Sequence, residues 1–374
     1  MDEKLGKIFK LMAPGKPIRK GIDRIMEANL GSLLFFCSRP EEYLKDGLIQ
    51  PGFKLESDFL PEKIYELSKM DGAIVLNESG TKILAANAQL NPDKNISSSE
   101  TGMRHKTAEK VSIQTGDLTV AVSKRRNIVS VYYNKMKYEL LPENVLFARL
   151  NHEITIAQRY RQSFMNLLDN LNIEEMKEEV TLLDIVEIIS KGQLTLKITQ
   201  KAEKYLLELG EIAGSAKLEY EEILRTIPRL LGAVIMDYAS KDLECQKPDE
   251  AIDIFENLDV DDLVDPFKIA KTLGYENVSS EDDLEETFLT SRGYRILYST
   301  KLPASAVRNV VESFKNLSEL MKATFEELTN VSGIGKRRAE IIIGALNKKK
   351  KEKEEISLDL SNNIESNNIQ EEVN

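Results

Sequence analysis

The sequence predicts an α/β N-terminal domain with a central mixed sheet, followed by two all-α regions. Three observations carry this reading. Residues 1–150 alternate short, β-branched apolar runs with amphipathic segments that open on proline. From about 151 to 285 the strand signal fades and long, charged amphipathic segments take over. From 286 to 346, apolar residues recur at helical spacing on both sides of a turn that carries two glycines. A chain of 374 residues is too long for one core, so several domains are expected.

The elements follow in order. "PIRKGIDRIMEANL" (17–30) puts Pro17 at a first helical position and Ile18, Ile22, Ile25 and Met26 on one face. "SLLFFCS" follows as a strand. "PEKIYELSKM" (61–70) repeats the proline start, with Ile64 and Leu67 sharing a face. "GAIVL" reads as a buried strand, "NESG" as a turn and "TKILAANA" as the partner strand. In "ETGMRHKTAEKVSIQTG" (100–116), Thr107 is the expected N-cap of a helix that Gly116 closes. "DLTVAVS" (117–123), "NIVSVYY" (127–133) and "MKYEL" give three more strands. "LLDIVEIIS", "QKAEKYLLELGEIAG" and "EYEEILRTIPRLLGAVIMDY" then form a helical spine, which sets geometry or assembles subunits. In the last unit Val307, Val310, Val311 and Phe314 share a helical face. Thr324 and Glu327 make a capping box, and Ala339, Ile342, Ile343 and Leu346 repeat the pattern. After 347 the chain is charged, Asn-rich and poor in aromatics, which predicts a disordered tail.

Composition removes several function classes. The longest apolar run, "LLFFC", cannot span a bilayer, and the N-terminus has no apolar segment, so no membrane association and a cytoplasmic setting are expected. Cys37 and Cys245 are distant in sequence, and Cys37 sits in an apolar strand-like run, so no disulfide is expected, nor, with two Cys and two His, a zinc cluster. The formal net charge is −11, yet residues 301–350 hold ten Lys/Arg against five Asp/Glu. A local basic zone on an acidic chain points to one nucleic-acid surface.

Two stretches carry chemistry. In "VSGIGKRR" (331–338), Gly333 and Gly335 let the main chain approach a ligand, and the amides of the next helix favour an anion. Lys336, Arg337 and Arg338 add charge at the same point. This is the design of a sequence-independent clamp on phosphates, and it resembles the helix-hairpin-helix motif of DNA repair and replication proteins. "LPASAVRNVV" (302–311) stands where a second hairpin of the pair would be, without the glycines. The other stretch runs from Gly102 to Lys106. Cations at a helix start oppose the helix dipole and make sense if a strong anion, such as a triphosphate, arrives from outside. Arg104 can fork onto two phosphate oxygens, Lys106 offers a point charge and His105 a ring nitrogen. Some thirty residues earlier, Asp71 precedes Gly72 and Ala73, a carboxylate beside residues without bulk that can hold a metal ion near a nucleotide.

"DGAIVL" (71–76) with "TGMRHKTAE" (101–109) resembles the Asp-Gly-Ala and Arg-His-Arg signatures of the diadenylate cyclase domain. "LMAPGKPIRKGIDRI", "YELSKMDGAI" and "VAVSKRRNIVSVYY" are similar to its flanks. The whole order, with spine and terminal hairpin, resembles the DNA integrity scanning family of diadenylate cyclases over about 1–346. The sequence departs from that pattern at Lys106, where the family has Arg, and at Met103, where a small polar residue is expected.

The resemblance implies a fold of four parts: a cyclase domain at 1–150, an all-α spine at 151–285, an all-α helix-hairpin-helix DNA-binding domain at 286–346 and a tail at 347–374. It implies condensation of two ATP into cyclic di-AMP with release of two pyrophosphates, aided by Mg²⁺ or Mn²⁺. Asp71 would bind the metal, and Asp71, Arg104 and His105 would be catalytic. Gly72 and Ala73 would leave room for the nucleotide and Leu90 would border the adenine. Met103, Arg104, His105, Lys106 and Thr107 would wrap the phosphates, with Ser123, Lys124 and Arg126 also facing them. Gly333, Gly335, Lys336, Arg337 and Arg338 would hold branched DNA, which lowers synthesis. The assembly would be a homo-octamer. The rival reading is a nucleotide-sensing protein that binds DNA structures without cyclase activity; Asp71 argues against it, and Lys106 leaves it open. No cluster of carboxylates of two-metal character supports a nuclease.

Overall fold

The computed structural model describes residues 3–351 except 241, 242, 244, 246 and 301. The chain divides into two compact units, one made of Met1–Leu150 with Glu203–Gly214, the other of Asn151–Ala202 with the chain from Ser215 onward.

The first unit is an eight-stranded mixed sheet covered on both faces. Its elements are α1 (Glu3–Met12), α2 (Pro17–Glu27), β1 (Ser32–Cys37), α3 (Pro40–Lys45), β2 (Ile49–Gln50), β3 (Phe53–Asp58) and α4 (Pro61–Leu67). Then come β4 (Ala73–Asn77), β5 (Lys82–Leu90), α5 (Met103–Thr115), β6 (Leu118–Ser123), β7 (Ile128–Tyr133) and β8 (Met136–Leu140). The strand order is β2-β5-β4-β1-β6-β7-β8, with β3 also on β5. β1 and β4 pair parallel and the other pairs are antiparallel, the mixed sheet that the sequence predicts. Alternation along β1 shows how the sheet is buried. Leu34 and Phe36 point into a core with Ile22, Ile25 and Ile64 of α2 and α4. Leu33 and Phe35 point into another with Tyr43 of α3 and Ala108 and Val111 of α5. With both faces packed, every residue of "SLLFFC" is buried, so the strand reads as a continuous apolar run.

The register places one end of the sheet. Leu33 lies opposite Ala73, Ala73 opposite Ala88, and Ser32 opposite Val122. The starts of β1 and β4 and the ends of β5 and β6 therefore share one edge. The segments 71–72 and 123–127 both leave the sheet there.

Beyond the sheet the chain is helical. Three long helices, α6 (Glu143–Lys177), α7 (Leu182–Leu209) and α8 (Gly214–Tyr238), precede shorter ones. These are α9 (Pro248–Asp253), α10 (Pro266–Thr272), α11 (Glu281–Glu286), α12 (Tyr294–Ser299), α13 (Ala304–Phe314), α14 (Leu317–Lys322) and α15 (Phe325–Asn330). A last helix, α16, covers 336–351. The capping box of Thr324 and Glu327 forms at the start of α15. Ala339, Ile342 and Leu346 of α16 are buried in the core of the second unit with Val307, Val310 and Val311 of α13. The helix runs past 346, where the tail is expected to begin. Its last turn is held because Lys349 donates to Asn172 Oδ1 (2.5 Å). The rest of the expected tail, 352–374, lies outside the described residues. Among the described residues no helix is long and apolar enough to cross a membrane.

Candidate active site

Asp71 and Gly72 link α4 to β4 at the sheet edge just defined. Gly72 has φ +92°, and a Cβ there would lie 2.8 Å from the backbone carbon of Asn87 and 2.9 Å from the carbonyl oxygen of Ala88. Glycine is required by the approach of β5 as well as by the turn. Ala73 is buried against the core on the α5 side. The small residues after Asp71 thus serve the sheet, which turns the carboxylate outward: the Asp71 side chain is fully exposed.

The helix α5 starts earlier than the sequence suggests. Its N-cap is Gly102, in extended conformation (φ −84°, ψ 138°), and Thr107 lies in the second turn, half-buried. The reason is that the Lys106 amide already donates to the Gly102 carbonyl (2.8 Å), closing the first turn without a side-chain cap. Met103, Arg104, His105 and Lys106 are therefore the first turn itself, and the amides of Gly102, Met103, Arg104 and His105 lack intrahelical partners. That turn contains no acidic residue. Gly116 closes the helix with φ +75°, as expected.

Arg104 reaches from this turn to Asp71, Nη2 to Oδ1 at 3.7 Å. Its other amino nitrogen lies over Gly31, where a Cβ would come within 2.7 Å of Nη1. The Arg104–Asp71 pair is exposed and worth little to stability, so each group is free to turn to a ligand. His105 is half-buried, and its ring meets Tyr132 edge-on (6.4 Å, 81°). Burial lowers its pKa, outweighing the attraction of Glu100, so His105 is neutral at neutral pH and offers a hydrogen bond rather than a charge. Lys106 and Met103 are exposed.

Beneath His105 lies a group that the sequence reading missed. Glu100 accepts from the Tyr132 hydroxyl (2.8 Å) and pairs with Lys137 Nζ (2.8 Å). Burial works to raise the Glu100 carboxyl, but hydrogen bonds from Lys137 and Tyr132 win and hold it below its ordinary value. The residue stands just before the "TG" of the motif; the polar alternation of "MKYEL", which supplies Lys137, was the available signal. Gly31 was missed too, since nothing local marks it. The loop before α5 is tied down by Glu109, which accepts from Ser98 Oγ, Ser99 N (3.0 Å) and Ser99 Oγ (3.1 Å).

The β6–β7 turn closes the far side. Ser123 Oγ accepts from the Arg126 amide (3.3 Å), and Arg126 Nη2 donates to Thr101 Oγ1 (3.4 Å), joining the turn to the approach of α5. Lys124 is exposed at its tip. Leu90 is buried at the end of β5 opposite Ile49, in the core rather than at the surface. The edge thus gathers one open carboxylate and the cations Arg104, Lys106, Lys124 and Arg126 around a helix start. This arrangement can accept a polyphosphate. One exposed carboxylate suits a hard divalent cation, which takes one or two protein carboxylates plus phosphate oxygens.

The glycine turn belongs to the second unit. Gly333 has φ +81°, and Arg338 Nη1 donates to its carbonyl (2.6 Å). Asn309 Nδ2 of α13 donates to the Ser332 carbonyl (2.7 Å), and Ile334 is buried. A Cβ at Gly335 would meet nothing within 4 Å, and Lys336 and Arg337 are exposed. The turn is rigid from behind and open in front.

Comparison with known proteins places the chain in a family. Residues 19–137 match the family described as DisA bacterial checkpoint controller nucleotide-binding, and 140–281 match the DisA bacterial checkpoint controller linker region. The DNA integrity scanning protein DisA of Thermotoga neapolitana is 40% identical over 335 residues, 89% of this chain and 94% of the relative. The protein of the same name from Thermotoga maritima is also 40% identical, over 89% of this chain and 92% of its own. That of Clostridium botulinum (Loch Maree) is 36% identical over 359 residues, 96% of this chain and 98% of the relative. With similarity of that extent, the chain belongs to the DNA integrity scanning protein DisA family and is by class a diadenylate cyclase, a nucleotidyltransferase.

Proposed function

We propose that the edge formed by residues 71–72, the start of α5 and the β6–β7 turn holds one ATP, and that two such edges, met face to face, make cyclic di-AMP. The 3′-hydroxyl oxygen of each ATP attacks the α-phosphorus of the other. A P–O bond forms to the ribose, the hydroxyl proton passes to water, the bond to the β-phosphate breaks, and pyrophosphate leaves; the second, equivalent displacement closes the ring. Arg104, Lys106, Lys124 and Arg126 hold the triphosphate and offset its charge, and the amides of the first turn of α5 add donors. His105, neutral and backed by Tyr132, donates one hydrogen bond and fixes the helix start over the sheet. Asp71 would hold Mg²⁺ or Mn²⁺, which when bound supplies charge neutralisation at the phosphates. The chemistry needs two domains, so a homo-oligomer follows, and the family resemblance gives an octamer in the cytoplasm.

In the same proposal "GIGKRR" grips phosphates of branched DNA without reading bases, through Gly333, Gly335, Lys336, Arg337 and Arg338, and DNA binding lowers synthesis. The observation that carries the cyclase site is the Arg104–Asp71 approach across Gly31, which brings two motifs thirty-three positions apart to one spot. The test is incubation of the pure protein with ATP and Mg²⁺ or Mn²⁺, followed by separation of products. Cyclic di-AMP and pyrophosphate are expected from the wild type, and none above background from Asp71→Asn, whose amide is nearly isosteric but uncharged. Near-normal turnover by Asp71→Asn would sink the assignment.

A further inference from the structure

We infer that the second unit contains a phosphate-binding cleft between α8 and α12, separate from the glycine turn. The cavity there has a volume of about 380 Å³ and is lined by Arg225, Thr226, Arg229, Arg295, Tyr298 and Ser299, with Leu230 and Ala233 as its apolar wall. Three guanidiniums and no carboxylate face it among the described residues. Glu175 pairs with Arg295 from behind, which leaves the charges of Arg225 and Arg229 facing the cleft for an anion to offset.

Two buried polar atoms point to the same conclusion. Among the described residues Arg295 Nε and the Tyr298 hydroxyl have no hydrogen-bond partner, and both residues line the cavity. The Arg295 side chain is 10% exposed and Tyr298 9%. An unpaired buried donor costs about 1–3 kcal/mol, so a small shift of either side chain toward an anion in the cleft regains a hydrogen bond. The site is also built in advance. Glu175 of α6, itself accepting from the Tyr238 hydroxyl (2.7 Å), holds Arg295 through Nη2. The Arg295 and Tyr294 amides donate to Asp237 (2.9 and 2.6 Å), which fixes the start of α12. Arg229 donates to the Tyr298 carbonyl. The ring of Tyr298 is stacked on Tyr294 (6.2 Å). A second cavity of about 330 Å³ shares Arg295, Leu230 and Ser299 and adds Lys348 and Lys349 of α16 together with Asp169 of α6, so charged lining continues onto the last helix.

Forked guanidiniums with a phenol donor suit a phosphate monoester or diester better than a carboxylate, because phosphate offers three or two acceptor oxygens to a ring of donors. The phosphate comes either from a free pyrophosphate or nucleotide or from the backbone of a bound DNA. The two sources share one chemistry and differ in how the site is filled.

The experiment uses the full chain. Arginine modification by phenylglyoxal, read at Arg225 and Arg229 by peptide mass spectrometry, reports this cleft regardless of other binding sites. It is run alone, with pyrophosphate, and with a DNA duplex. Protection by pyrophosphate assigns a free phosphate ligand; protection by duplex alone assigns the DNA backbone; either supports the site. Arg225→Ala, at an exposed position, should weaken the protecting ligand about tenfold or more, as expected for one lost charge-assisted hydrogen bond. Tyr298→Phe keeps the ring and should weaken binding while leaving the melting temperature unchanged or raised, because it removes an unpaired buried hydroxyl. If neither probe protects either arginine, or if both variants bind as the wild type does, the cleft is structural and the inference fails.

Discussion

Arg104 shows how much a single residue can depend on its neighbours. Its guanidinium passes over Gly31 to reach Asp71, and no side chain fits beneath it. Gly31→Ala should therefore displace the guanidinium while sparing the fold. The clash is with the far end of a flexible side chain, and the nearest backbone atom, the Val122 carbonyl oxygen, is 3.3 Å away. The expected result is a raised ATP requirement of about tenfold with little change in melting temperature, the effect of one misplaced charge-assisted bond. An unaltered ATP dependence would show that Arg104 does not grip the substrate from this position. Lys106→Arg should leave turnover equal or higher, since Lys106 is exposed at the same helix start and a fork replaces a point charge. A severe loss in that variant would mean that the position is shaped for lysine.

At the scale of elements, the start of α12 is held by a carboxylate from another helix. Gly293, the N-cap of α12 with φ +99°, has no side chain to offer, and Asp237 of α8 takes the first two amides instead. Burial pushes the Asp237 carboxyl from 3.8 up to about 6, Glu175 of α6 adds to the rise, and the amides and charge of Arg295 oppose it. The folded protein thus binds this proton more tightly than the unfolded chain. The contribution of this group to stability is full below about 3.8 and is lost as pH rises through about 6. In denaturant titrations, the stability of wild type minus that of Asp237→Asn should fall between pH 4 and pH 6 and level off above, following the shift from 3.8 to about 6. A difference that stays flat over that range would contradict the raised value. Other carboxylates here, Asp262, Asp283 and Glu327 among them, are held low by their hydrogen bonds and slope the opposite way, so the subtraction is essential.

At the scale of the whole molecule, the proposed cyclase edge and the glycine turn belong to different compact units. Replacing Lys336, Arg337 and Arg338 by Glu should abolish binding of a four-way junction, and the wild-type binding should weaken steeply with salt. Basal synthesis of cyclic di-AMP should survive, because the edge uses none of those side chains. What the triple variant should lose is the response of synthesis to the junction. Equal slowing of both proteins by DNA would move the sensor away from the glycine turn.

Some of this was written locally in the chain. The strands of the sheet from β4 to β8 were legible because their apolar runs and turn residues act over a few neighbouring positions, and the same holds for the helix closed by Gly116 and the capping box at Thr324. Asp71 and Arg104 were legible as candidates because a carboxylate beside small residues leaves room for a ligand and cations at a helix start oppose its dipole. Short β2 and exposed β3 were not, since β2 has only two residues and β3 buries neither face and kinks at Glu56 (φ +44°); only pairing with β5 makes them strands. Nor could spacing show that Gly72 yields to the backbone of β5, that Glu100 sits under His105, or that Gly102 caps α5 in place of Thr107. Local periodicity and turn chemistry determine elements, because their energies act between near neighbours. Which residues meet across the sheet edge, and which buried charges hold one helix to another, is decided by packing between segments far apart in the chain, and that information exists only once the chain has folded.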